Sequence, residues 1–230
     1  MAKLSIIIPV FNEINNLEQI IKIVDETDFC GCEKEIILVD DFSTDGSREI
    51  LKNMENKYTV LYHEKNKGKG AAIRTAIEKA SGDFIVIQDA DLEYSPKDYN
   101  NLLPYLLEDK ADVVYGSRFL NIENNRNFML KNLIGNKALT IMTNILFGSK
   151  ISDMETCYKA FKKDVIKSVT IKSDRFDFEP EITAKVLKKK ARLKEVPISY
   201  SGRGHEDGKK IGWIDGVHAI LALIKFRFID

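Results

Sequence analysis

A short apolar run that stops in carboxylates constrains this chain more than any other part of its sequence. Residues 84–88 read Phe-Ile-Val-Ile-Gln, and this β-branched, aromatic composition predicts a buried strand. Asp89 and Asp91 follow at once, and Glu93 comes two residues after Asp91. Because unpaired charges are costly to bury, these residues indicate either a solvated turn or a site for a hard divalent cation such as Mg²⁺ or Mn²⁺.

Comparable apolar runs recur through the first half of the chain, and stretches with helical periodicity separate them. Solid apolar strands that alternate with helices are typical of a mostly parallel sheet that is covered on both faces. We therefore predict an α/β fold. The predicted strands of this half are residues 4–9, 35–39, 59–62, 84–88 and 112–116.

Helix starts are predicted from residues that commonly cap helices. Asn15 with Glu18 has the pattern of a capping box ahead of the first helix. Residues 43–45, Ser-Thr-Asp, are suited to cap the second helix. Ser95 before Pro96 predicts a later helix start by the same logic.

The second half is less regular, but its main elements can be predicted. Residues 129–147 form a long segment whose apolar side chains cover more than one helical face, and residues 211–229 form a terminal amphipathic helix. Residues 153–161 lead from a loop into a strand, and residues 195–200 form a last strand. Residues 201–210 form a polar, glycine-rich loop that we expect to be mobile.

The composition excludes several classes of protein. A chain of 230 residues, 44% of them hydrophobic, buries a sizeable core, and without a repeat or linker we expect one domain over residues 1–230. Lys and Arg number 35 and balance 35 Asp and Glu, so no basic field predicts nucleic-acid binding. No apolar run reaches the ~20 residues that span a bilayer, and the early first strand leaves no room for a signal peptide.

The cysteines and short motifs argue against other chemistries. The three cysteines, Cys30, Cys32 and Cys157, lack the spacing of a zinc site and predict reduced thiols in a cytosolic protein. Neither a P-loop nor a G-x-G-x-x-G motif is present after a strand. Ser43 and Cys157 have no neighbouring base in the sequence, so nucleophilic catalysis is unsupported.

Polar residues follow the ends of four predicted strands. The carboxyl ends of parallel strands meet at one edge of a sheet, and the ligands of such sheets bind beyond that edge. We therefore predict a binding site on this rim. The residues concerned are Asn12, Glu13, Asp40, Asp41, Asp89, Asp91 and Arg118.

Six motifs, taken in their order along the chain, resemble those of the family 2 glycosyltransferases. Within that family the chain is similar to the dolichyl-phosphate mannose and glucose synthases, or polyprenyl-phosphate hexose synthases, over nearly its whole length. The motifs are residues 9–13 (Pro-Val-Phe-Asn-Glu), 39–46 (Val-Asp-Asp-Phe-Ser-Thr-Asp-Gly), 68–70 (Gly-Lys-Gly), 89–91 (Asp-Ala-Asp), 116–118 (Gly-Ser-Arg) and 178–181 (Phe-Glu-Pro-Glu).

The resemblance implies a fold and a separate binding role for each half of the chain. The fold is GT-A, a Rossmann-like, mostly parallel central sheet flanked by helices, with a small antiparallel part and a C-terminal helix. Residues 1–118 are expected to form a nucleotide-binding half, and residues 119–230 an acceptor-binding half that ends in the amphipathic helix.

The resemblance also implies which residues bind a nucleotide-sugar donor. The positions that hold base and ribose correspond to Pro9, Phe11, Glu13 and Asp41. Further substrate-binding positions correspond to Asn12, Val39, Lys69, Ala90 and Glu179.

By the same resemblance, the metal and diphosphate site corresponds to Asp89, Asp91 and Glu93, with Mg²⁺ or Mn²⁺ as the cofactor. Arg118 matches a phosphate-binding arginine. Arg203 and Lys209 match basic residues of a mobile loop that closes over the donor and acceptor phosphates. The expected catalytic set is Asp89, Asp91, Arg118, Arg203 and Lys209.

The chain departs from the family pattern at three places. Phe11 replaces a tyrosine, which removes a hydroxyl but keeps a face for stacking. Glu93 stands where glutamine is common, which puts its role as a metal ligand in doubt. Residues 157–159, Cys-Tyr-Lys, lack the glycine often found in that motif.

The implied reaction is an inverting, metal-dependent transfer of a hexose from GDP-mannose or UDP-glucose to a dolichyl or other polyprenyl phosphate. A phosphate monoester is already a nucleophile at pH 7, because its second pKa is about 6, so a strong general base is unnecessary. The alternatives are a soluble or glycan acceptor, a sugar-nucleotide pyrophosphorylase and a non-catalytic nucleotide-binding module. A pyrophosphorylase would be expected to carry a glycine-rich loop with a basic residue in place of residues 9–13.

An enzyme that uses a lipid acceptor has to reach a membrane. The apolar segment 129–147 and the helix 211–229, which has Lys225 and Arg227 near its end, are suited to anionic headgroups. The terminal helix is equally suited to pack on its own sheet or on a second subunit. We expect a cytoplasmic protein, peripheral at the cytoplasmic face of a membrane, with a homodimer or a membrane-anchored partner as further associations.

Overall fold

The computed structural model describes residues 1–120, 130–202 and 213–229. Seven strands in these ranges form one sheet, in the order β3-β2-β1-β4-β6-β5-β7 once numbered along the chain. The strands are β1 (Lys3–Val10), β2 (Glu33–Asp40), β3 (Thr59–Tyr62), β4 (Phe84–Ile87), β5 (Val113–Ser117), β6 (Lys159–Lys162) and β7 (Leu193–Pro197).

The sheet is mostly parallel, as the apolar runs predict. β1 pairs in parallel with β2 and β4, β2 with β3, and β5 with β7. β6 runs antiparallel between β4 and β5, and it is the small antiparallel part of the expected fold. Because β4 has a neighbour on each side and helices pack on the sheet, its residues Ile85, Val86 and Ile87 are fully buried.

Helices connect the strands and pack on the sheet and on one another. They are α1 (Leu17–Glu26), α2 (Ser47–Lys52), α3 (Lys69–Lys79), α4 (Tyr99–Leu107), α5 (Leu130–Phe147), α6 (Lys163–Lys167), α7 (Phe178–Lys188) and α8 (Trp213–Phe228). α1 buries the apolar stripe that its spacing predicts, namely Leu17, Ile20, Ile21 and Val24. α5 and α8 confirm that the two long apolar segments of the second half are helical.

Two predicted helix caps are wrong in detail. Asn16, not Asn15, is the N-cap residue of α1, and no side chain caps the helix. The main-chain carbonyl of Glu13 accepts the N–H of Asn16 at 3.0 Å, so a tight turn precedes the helix and delays its start. Ser95 also gives no side-chain cap, although Pro96 opens a three-residue 3-10 turn as predicted.

Within residues 43–45, Asp45 accepts one N–H at the start of α2 and also links two loops. Gly46 is the N-cap residue of α2, and no side chain caps that helix. The carboxylate of Asp45 accepts the main-chain N–H of Ile14 at 3.0 Å and that of Ser47 at 2.9 Å. Asp45 therefore joins the loop after β1 to the start of α2. The sequence around Asp45 alone does not predict this, because Ile14 lies far from it in the chain.

The last strand is the one whose bounds differ most from the prediction. β7 covers Leu193–Pro197, whereas the sequence favours residues 195–200. Pro197 has no N–H to donate to a neighbouring strand, so it is suited to the end of β7. The chain then continues to Tyr200, which forms an isolated antiparallel bridge with Tyr94.

Stacked tyrosines fix the end of β4. Tyr94, Tyr158 and Tyr99 form two stacked pairs, with ring centroids 4.7 Å and 4.4 Å apart. The hydroxyl of Tyr99 donates to the carbonyl of Ile87 at 2.7 Å, and that of Tyr158 donates to Oε1 of Gln88 at 2.7 Å. The backbone is therefore held in place immediately before the predicted carboxylates.

The start of α3 lies against a loop from the second half of the chain. Gly68 has φ +100°, and a Cβ there would lie 2.4 Å from the carbonyl oxygen of Asp174. A Cβ on Gly70 would lie 2.4 Å from the carbonyl oxygen of Ser173. Ala71 donates its N–H to the carbonyl of Asp174 at 3.0 Å. The two glycines therefore permit an approach that any larger residue would prevent.

We predict that Gly68→Ala lowers the free energy of unfolding by about 3 kcal/mol or more. The backbone conformation at Gly68 costs other residues about 1–3 kcal/mol, and the clash with Asp174 adds to that cost. Urea denaturation measures the change. Gly31→Ala is the matched control, because Gly31 has φ +70° but open space around its Cβ position. If both variants lose the same free energy of unfolding, the contact with Asp174 does not contribute to the cost of Gly68→Ala.

Candidate active site

The loops after β1 and β2 bind each other. Asn12 donates its main-chain N–H to Oγ of Ser43 at 3.0 Å, and its Oδ1 accepts the N–H of Thr44 at 2.8 Å. The N–H of Glu13 donates to Oγ of Ser47 at 3.0 Å. The polar residues predicted at the ends of these two neighbouring strands are therefore brought together.

Asp41 fixes the loop that leads into α3. Its carboxylate accepts the main-chain N–H of Lys67 at 2.8 Å and that of Gly68 at 2.7 Å, and it lies 2.7 Å from Nδ1 of the buried His63. Asp41 is itself buried. Its expected contact with base or ribose stays a prediction, and the bonds that the structure gives it organise this loop.

The other residues expected to bind the nucleotide lie at the same edge of the sheet. Pro9 and Val39 are paired in register on β1 and β2. Val39 and Ala90 are buried, whereas Pro9 and Phe11 are half-buried. Buried side chains can offer a ligand little beyond their main-chain groups, so the two half-buried residues are the better candidates for side-chain contact.

Lys69, at the start of α3, joins two carboxylates of the predicted site. Its Nζ lies 2.7 Å from Oδ1 of Asp89 and 3.7 Å from Oε1 of Glu179. Burial by itself would lower the pKa of Lys69, but the neighbouring negative charges, led by Asp89, outweigh burial and raise the pKa well above its ordinary value. Lys69 therefore stays charged, and three of the predicted motifs meet at its ammonium group.

A second lysine, which the sequence analysis did not assign to the site, holds Glu179. Lys159 is fully buried at the start of β6. Its Nζ binds the carboxylate of Glu179 and the main-chain carbonyls of Met154, at 3.1 Å, and Thr156. The available signal was a lysine within a short apolar strand, since a buried ammonium group requires such partners.

Asp91 and Glu93 lie on the loop after β4. The N–H of Glu93 donates to Oδ1 of Asp91 at 3.1 Å, and Oε2 of Glu93 accepts the hydroxyl of Tyr200 at 3.0 Å. No three His, Cys, Asp or Glu side chains come together as a metal site within the described ranges. Asp89, Asp91 and Glu93 as ligands of one metal ion therefore stay a prediction.

Arg118, which follows β5, is buried in an ion pair with Asp153. Its Nε and Nη2 donate to the two carboxylate oxygens of Asp153 at 2.7 Å and 2.8 Å, and its guanidinium lies 5.3 Å from the ring centroid of Tyr200. Burial opposes the charge, but Asp153 outweighs burial and raises the pKa of Arg118 well above its ordinary value. Arg118 is a fixed cation, and its contact with a phosphate stays a prediction.

Glu155 is a further residue that the sequence analysis left out. Its Oε1 is buried and has no hydrogen-bond partner. Loss of hydration, together with the charge of Glu179, raises the pKa of Glu155 to about 7, and Lys159 and Arg118 oppose this shift. A group whose charge changes near neutral pH therefore lies among the ion pairs of the site, where such groups often serve a function.

Arg203 and Lys209 lie outside the described residues, so their expected closure over phosphates stays a prediction. Among the predicted residues that are described, Lys69, Asp89 and Glu179 are brought into direct contact. The contact combines a fixed cation with carboxylate oxygens at the carboxyl end of β4. This is chemistry suited to a ligand that carries both phosphate and hydroxyl groups.

One family model and several known proteins match this chain in sequence. The family model described as Glycosyl transferase family 2 matches residues 5–170. A UDP-N-acetylglucosamine–dolichyl-phosphate N-acetylglucosaminyltransferase of Methanococcus voltae is 29% identical over 213 residues, which cover 84% of this chain and 83% of the relative. A dolichol-phosphate mannosyltransferase of Pyrococcus furiosus is 31% identical over 219 residues, which cover 91% of this chain but 60% of the relative.

Solved structures show the same fold. Glucosyl-3-phosphoglycerate synthase from Mycobacterium tuberculosis, in complex with Mn²⁺, UDP and phosphoglyceric acid, matches with a TM-score of 0.72 at 15% identity. The match covers 100% of this chain and 80% of that chain. Its complex with Mg²⁺ and UDP matches with a TM-score of 0.70. These similarities confirm the expected GT-A fold.

We predict that Glu155→Gln stabilises the protein more at pH 8 than at pH 5. A carboxyl group whose pKa rises on folding costs no stability while it is protonated in both states, and the cost grows from pH ~4.5 until it is complete above pH ~7. At full ionisation the cost is about 3 kcal/mol. Glutamine does not ionise and so avoids it.

Urea denaturation at the two pH values measures this difference. Glu64→Gln, on an exposed loop, is the matched control and should behave like the wild type at both pH values. If Glu155→Gln changes stability equally at pH 5 and pH 8, the pKa of Glu155 is not raised by folding.

Proposed function

Because this chain belongs to glycosyltransferase family 2, we propose that it moves a hexose from a nucleotide sugar to a polyprenyl phosphate, with inversion at the sugar carbon. The family match spans residues 5–170. The proposed donors are GDP-mannose and UDP-glucose. The observation that carries the proposal is the meeting of Lys69, Asp89 and Glu179, because it joins three of the family's motifs around one charge.

The names of two relatives support a lipid-phosphate acceptor. One is a dolichyl-phosphate N-acetylglucosaminyltransferase and the other a dolichol-phosphate mannosyltransferase. Their acceptors share a chemical class, whereas their sugars differ. UDP-N-acetylglucosamine therefore joins GDP-mannose and UDP-glucose among the donors to be tested.

Asp89 and Asp91 suit a divalent cation. Both residues follow the end of β4. Mg²⁺ is commonly held by one or two carboxylates together with substrate phosphates. A bound cation would supply positive charge opposite the diphosphate leaving group. The solved glucosyl-3-phosphoglycerate synthase structures contain UDP with Mn²⁺ or Mg²⁺, which supports the same choice here.

Basic side chains of the protein are proposed to bind the donor diphosphate and the acceptor phosphate. Lys69 and Arg118 are held in place by Asp89 and Asp153, so they need little rearrangement as charge develops on the leaving group. Arg203 and Lys209 are proposed to bring the donor diphosphate and acceptor phosphate together by lowering their mutual repulsion. The acceptor phosphate then attacks the sugar carbon directly, without a general base.

An apolar surface on α5 and α8 supports contact with a membrane. α8 packs on α5 through Ala219 and Leu223, which cluster with Leu139. α8 also packs on α7 through Ala222 and Phe226, which cluster with Ala184. None of the helices in the described part of the chain has the length and apolar character needed to cross a bilayer. The exposed residues that define this α5–α8 apolar surface are Ile134, Ile141, Ile145, Val217, Ile220, Leu221, Ile224 and Phe228.

On each of the two helices the exposed apolar residues recur at helical spacing, which places them along one side of the helix. Exposed apolar faces mark interaction sites. Lys225 and Arg227 are exposed near the end of α8, where they would attract anionic headgroups. We propose that this surface rests on the cytoplasmic face of a membrane and brings the site to its lipid. A second subunit or a membrane-anchored partner would be the alternative occupant.

A soluble acceptor is the second candidate. The solved synthase that shares this fold is bound to phosphoglyceric acid, a small molecule of the aqueous phase. Family membership sets aside a sugar-nucleotide pyrophosphorylase. Product formation with polyprenyl phosphate in detergent, compared with phosphoglyceric acid, separates the two acceptors. No product with any nucleotide sugar would favour the non-catalytic module.

We predict that Asp89→Asn and Asp91→Asn each reduce transfer by at least about 10²–10³-fold, which is the usual effect of losing one group that stabilises developing charge. Excess EDTA should do the same to the wild type. Radiolabelled sugar in the lipid product is the readout. Asp164→Asn, exposed on α6, is the control and should keep full activity. Full turnover in EDTA would remove the metal from the mechanism.

We also predict sedimentation of the wild type with vesicles that contain anionic lipid, weakened by high salt. Ile141→Asp with Ile145→Asp should abolish it, because these residues are 58% and 77% exposed and the charges would enter the interface. Both lie away from the core, so the fold should survive.

Leu107→Asp, on the exposed end of α4, is the matched control and should sediment like the wild type. A wild type that stays in the supernatant at low salt, and that glycosylates soluble acceptors alone, would overturn the lipid-phosphate proposal. Loss of a dimer in the double variant, seen by light scattering without vesicles, would assign the surface to a second subunit.

A further inference from the structure

Three buried side-chain oxygens in the described part of the chain have no hydrogen-bond partner. They are Oε1 of Glu155, Oγ1 of Thr156 and Oε1 of Glu179. Thr156 is fully buried, and Glu179 is 6% exposed. An unpaired buried polar group costs about 1–3 kcal/mol, so these oxygens are suited to bind a ligand. Oε1 of Glu179 lies 3.7 Å from Nζ of Lys69, which is an ion pair but too long for a hydrogen bond.

The three oxygens belong to one cluster. Lys159 binds the other carboxylate oxygen of Glu179 and the main-chain carbonyl of Thr156, which ties these two residues together. Glu155 precedes Thr156 in the chain, and it is close enough to Glu179 for the charge of Glu179 to raise its pKa. The residues that carry the three unsatisfied oxygens are therefore neighbours in the chain or share Lys159 as a partner.

The cluster lies beside the place proposed for the donor diphosphate. Oε1 of Glu179 is 3.7 Å from Nζ of Lys69, and the same Nζ is 2.7 Å from Asp89. The donor diphosphate joins the nucleoside to the sugar. The base and ribose are expected on the side of β4 that holds β1 and β2, whereas Lys159 belongs to β6 on the other side of β4. The sugar is therefore the group that would reach the unpaired oxygens.

The chemistry of the cluster selects for hydroxyl groups. Oε1 of Glu179 accepts hydrogen bonds, and Glu155, whose pKa is raised to about 7, accepts them when ionised and donates one when protonated. The missing partner must therefore both donate and accept hydrogen bonds, and an anionic group would be repelled by Glu179. Glu179 already has Lys159 and Lys69 as ion-pair partners, so a further cation is not required there. The hydroxyls of a hexose are neutral donors and acceptors and meet all of these conditions.

We propose that Glu155, Thr156 and Glu179 form the subsite for the hydroxyl groups of the transferred sugar, with Glu155 as the residue that selects among sugars. Glu155 forms no salt bridge with another described residue, in contrast to Glu179. This inference rests on the proposed function, because it assigns the cluster to one part of the nucleotide sugar. A site built to pair with a hydroxyl rejects an analogue that lacks it.

Titration calorimetry of Glu155→Gln and Thr156→Val tests the subsite. The probes are UDP, GDP, UDP-glucose, UDP-N-acetylglucosamine and GDP-mannose, each with Mg²⁺. We expect both variants to bind the free nucleotides as the wild type does. The nucleotide sugar that the wild type binds most tightly should bind them about tenfold or more weakly, which corresponds to ~1.4 kcal/mol. Glu64→Gln is the control and should change neither affinity.

Deoxy analogues of that nucleotide sugar identify the hydroxyl concerned. The analogue that lacks the hydroxyl paired with Glu155 should bind the wild type and Glu155→Gln equally, whereas the other analogues should still distinguish them. If the role of Glu155 were merely structural, Glu155→Gln would weaken the binding of the free nucleotides and of every analogue alike.

The two levels of the proposal fail in different ways. If the wild type binds no nucleotide and no nucleotide sugar, the proposed function is overturned, and the subsite with it. If the wild type binds a nucleotide sugar more tightly than its nucleotide and both variants keep that difference in full, the subsite alone is overturned.

Discussion

One buried lysine, Lys159, and one half-buried lysine, Lys69, set the arrangement on which the site depends. An ammonium group taken out of water is stable only where carboxylates and carbonyls replace its hydration. Lys69 of α3 and Lys159 of β6 both lie against Glu179 of α7, so elements from the two halves of the chain meet at one carboxylate. Removing one member of such a buried pair typically costs 3–5 kcal/mol, which makes this group of charges part of the fold as well as of the site.

The reversed direction of β6 explains how so many polar residues reach one edge of the sheet. Parallel strands deliver the residues that follow them to this edge, as β4 delivers Asp89. β6 is antiparallel to β4 and β5, and its first residue, Lys159, pairs with Tyr115 near the end of β5. The residues that precede β6, 153–157, therefore arrive at the same edge, where Asp153 meets Arg118.

This reversal also marks what the sequence could and could not predict. The apolar runs located the strands, and the rule for parallel strands correctly brought Asn12, Glu13 and Asp89 to the rim. The same rule does not predict Asp153 and Glu155. Residues that precede a strand reach this edge of the sheet only if the strand is antiparallel to its neighbours, as β6 is. Strand direction is set by partners that are distant in sequence. The prediction for residues 43–45 was incomplete for a related reason, because Asp45 also accepts the N–H of Ile14, which lies 31 residues earlier in the chain.

The outer strands of the sheet bear on how the protein behaves when it is concentrated. An unpaired strand edge invites another chain to pair with it unless the edge is short, charged or interrupted by proline. β3 has four residues, and β7 carries Lys194 and Glu195 and ends at Pro197. Both edges are thus poor templates for sheet growth. Crowding should favour reversible association through the helical α5–α8 apolar surface over the strand pairing that leads to fibrils.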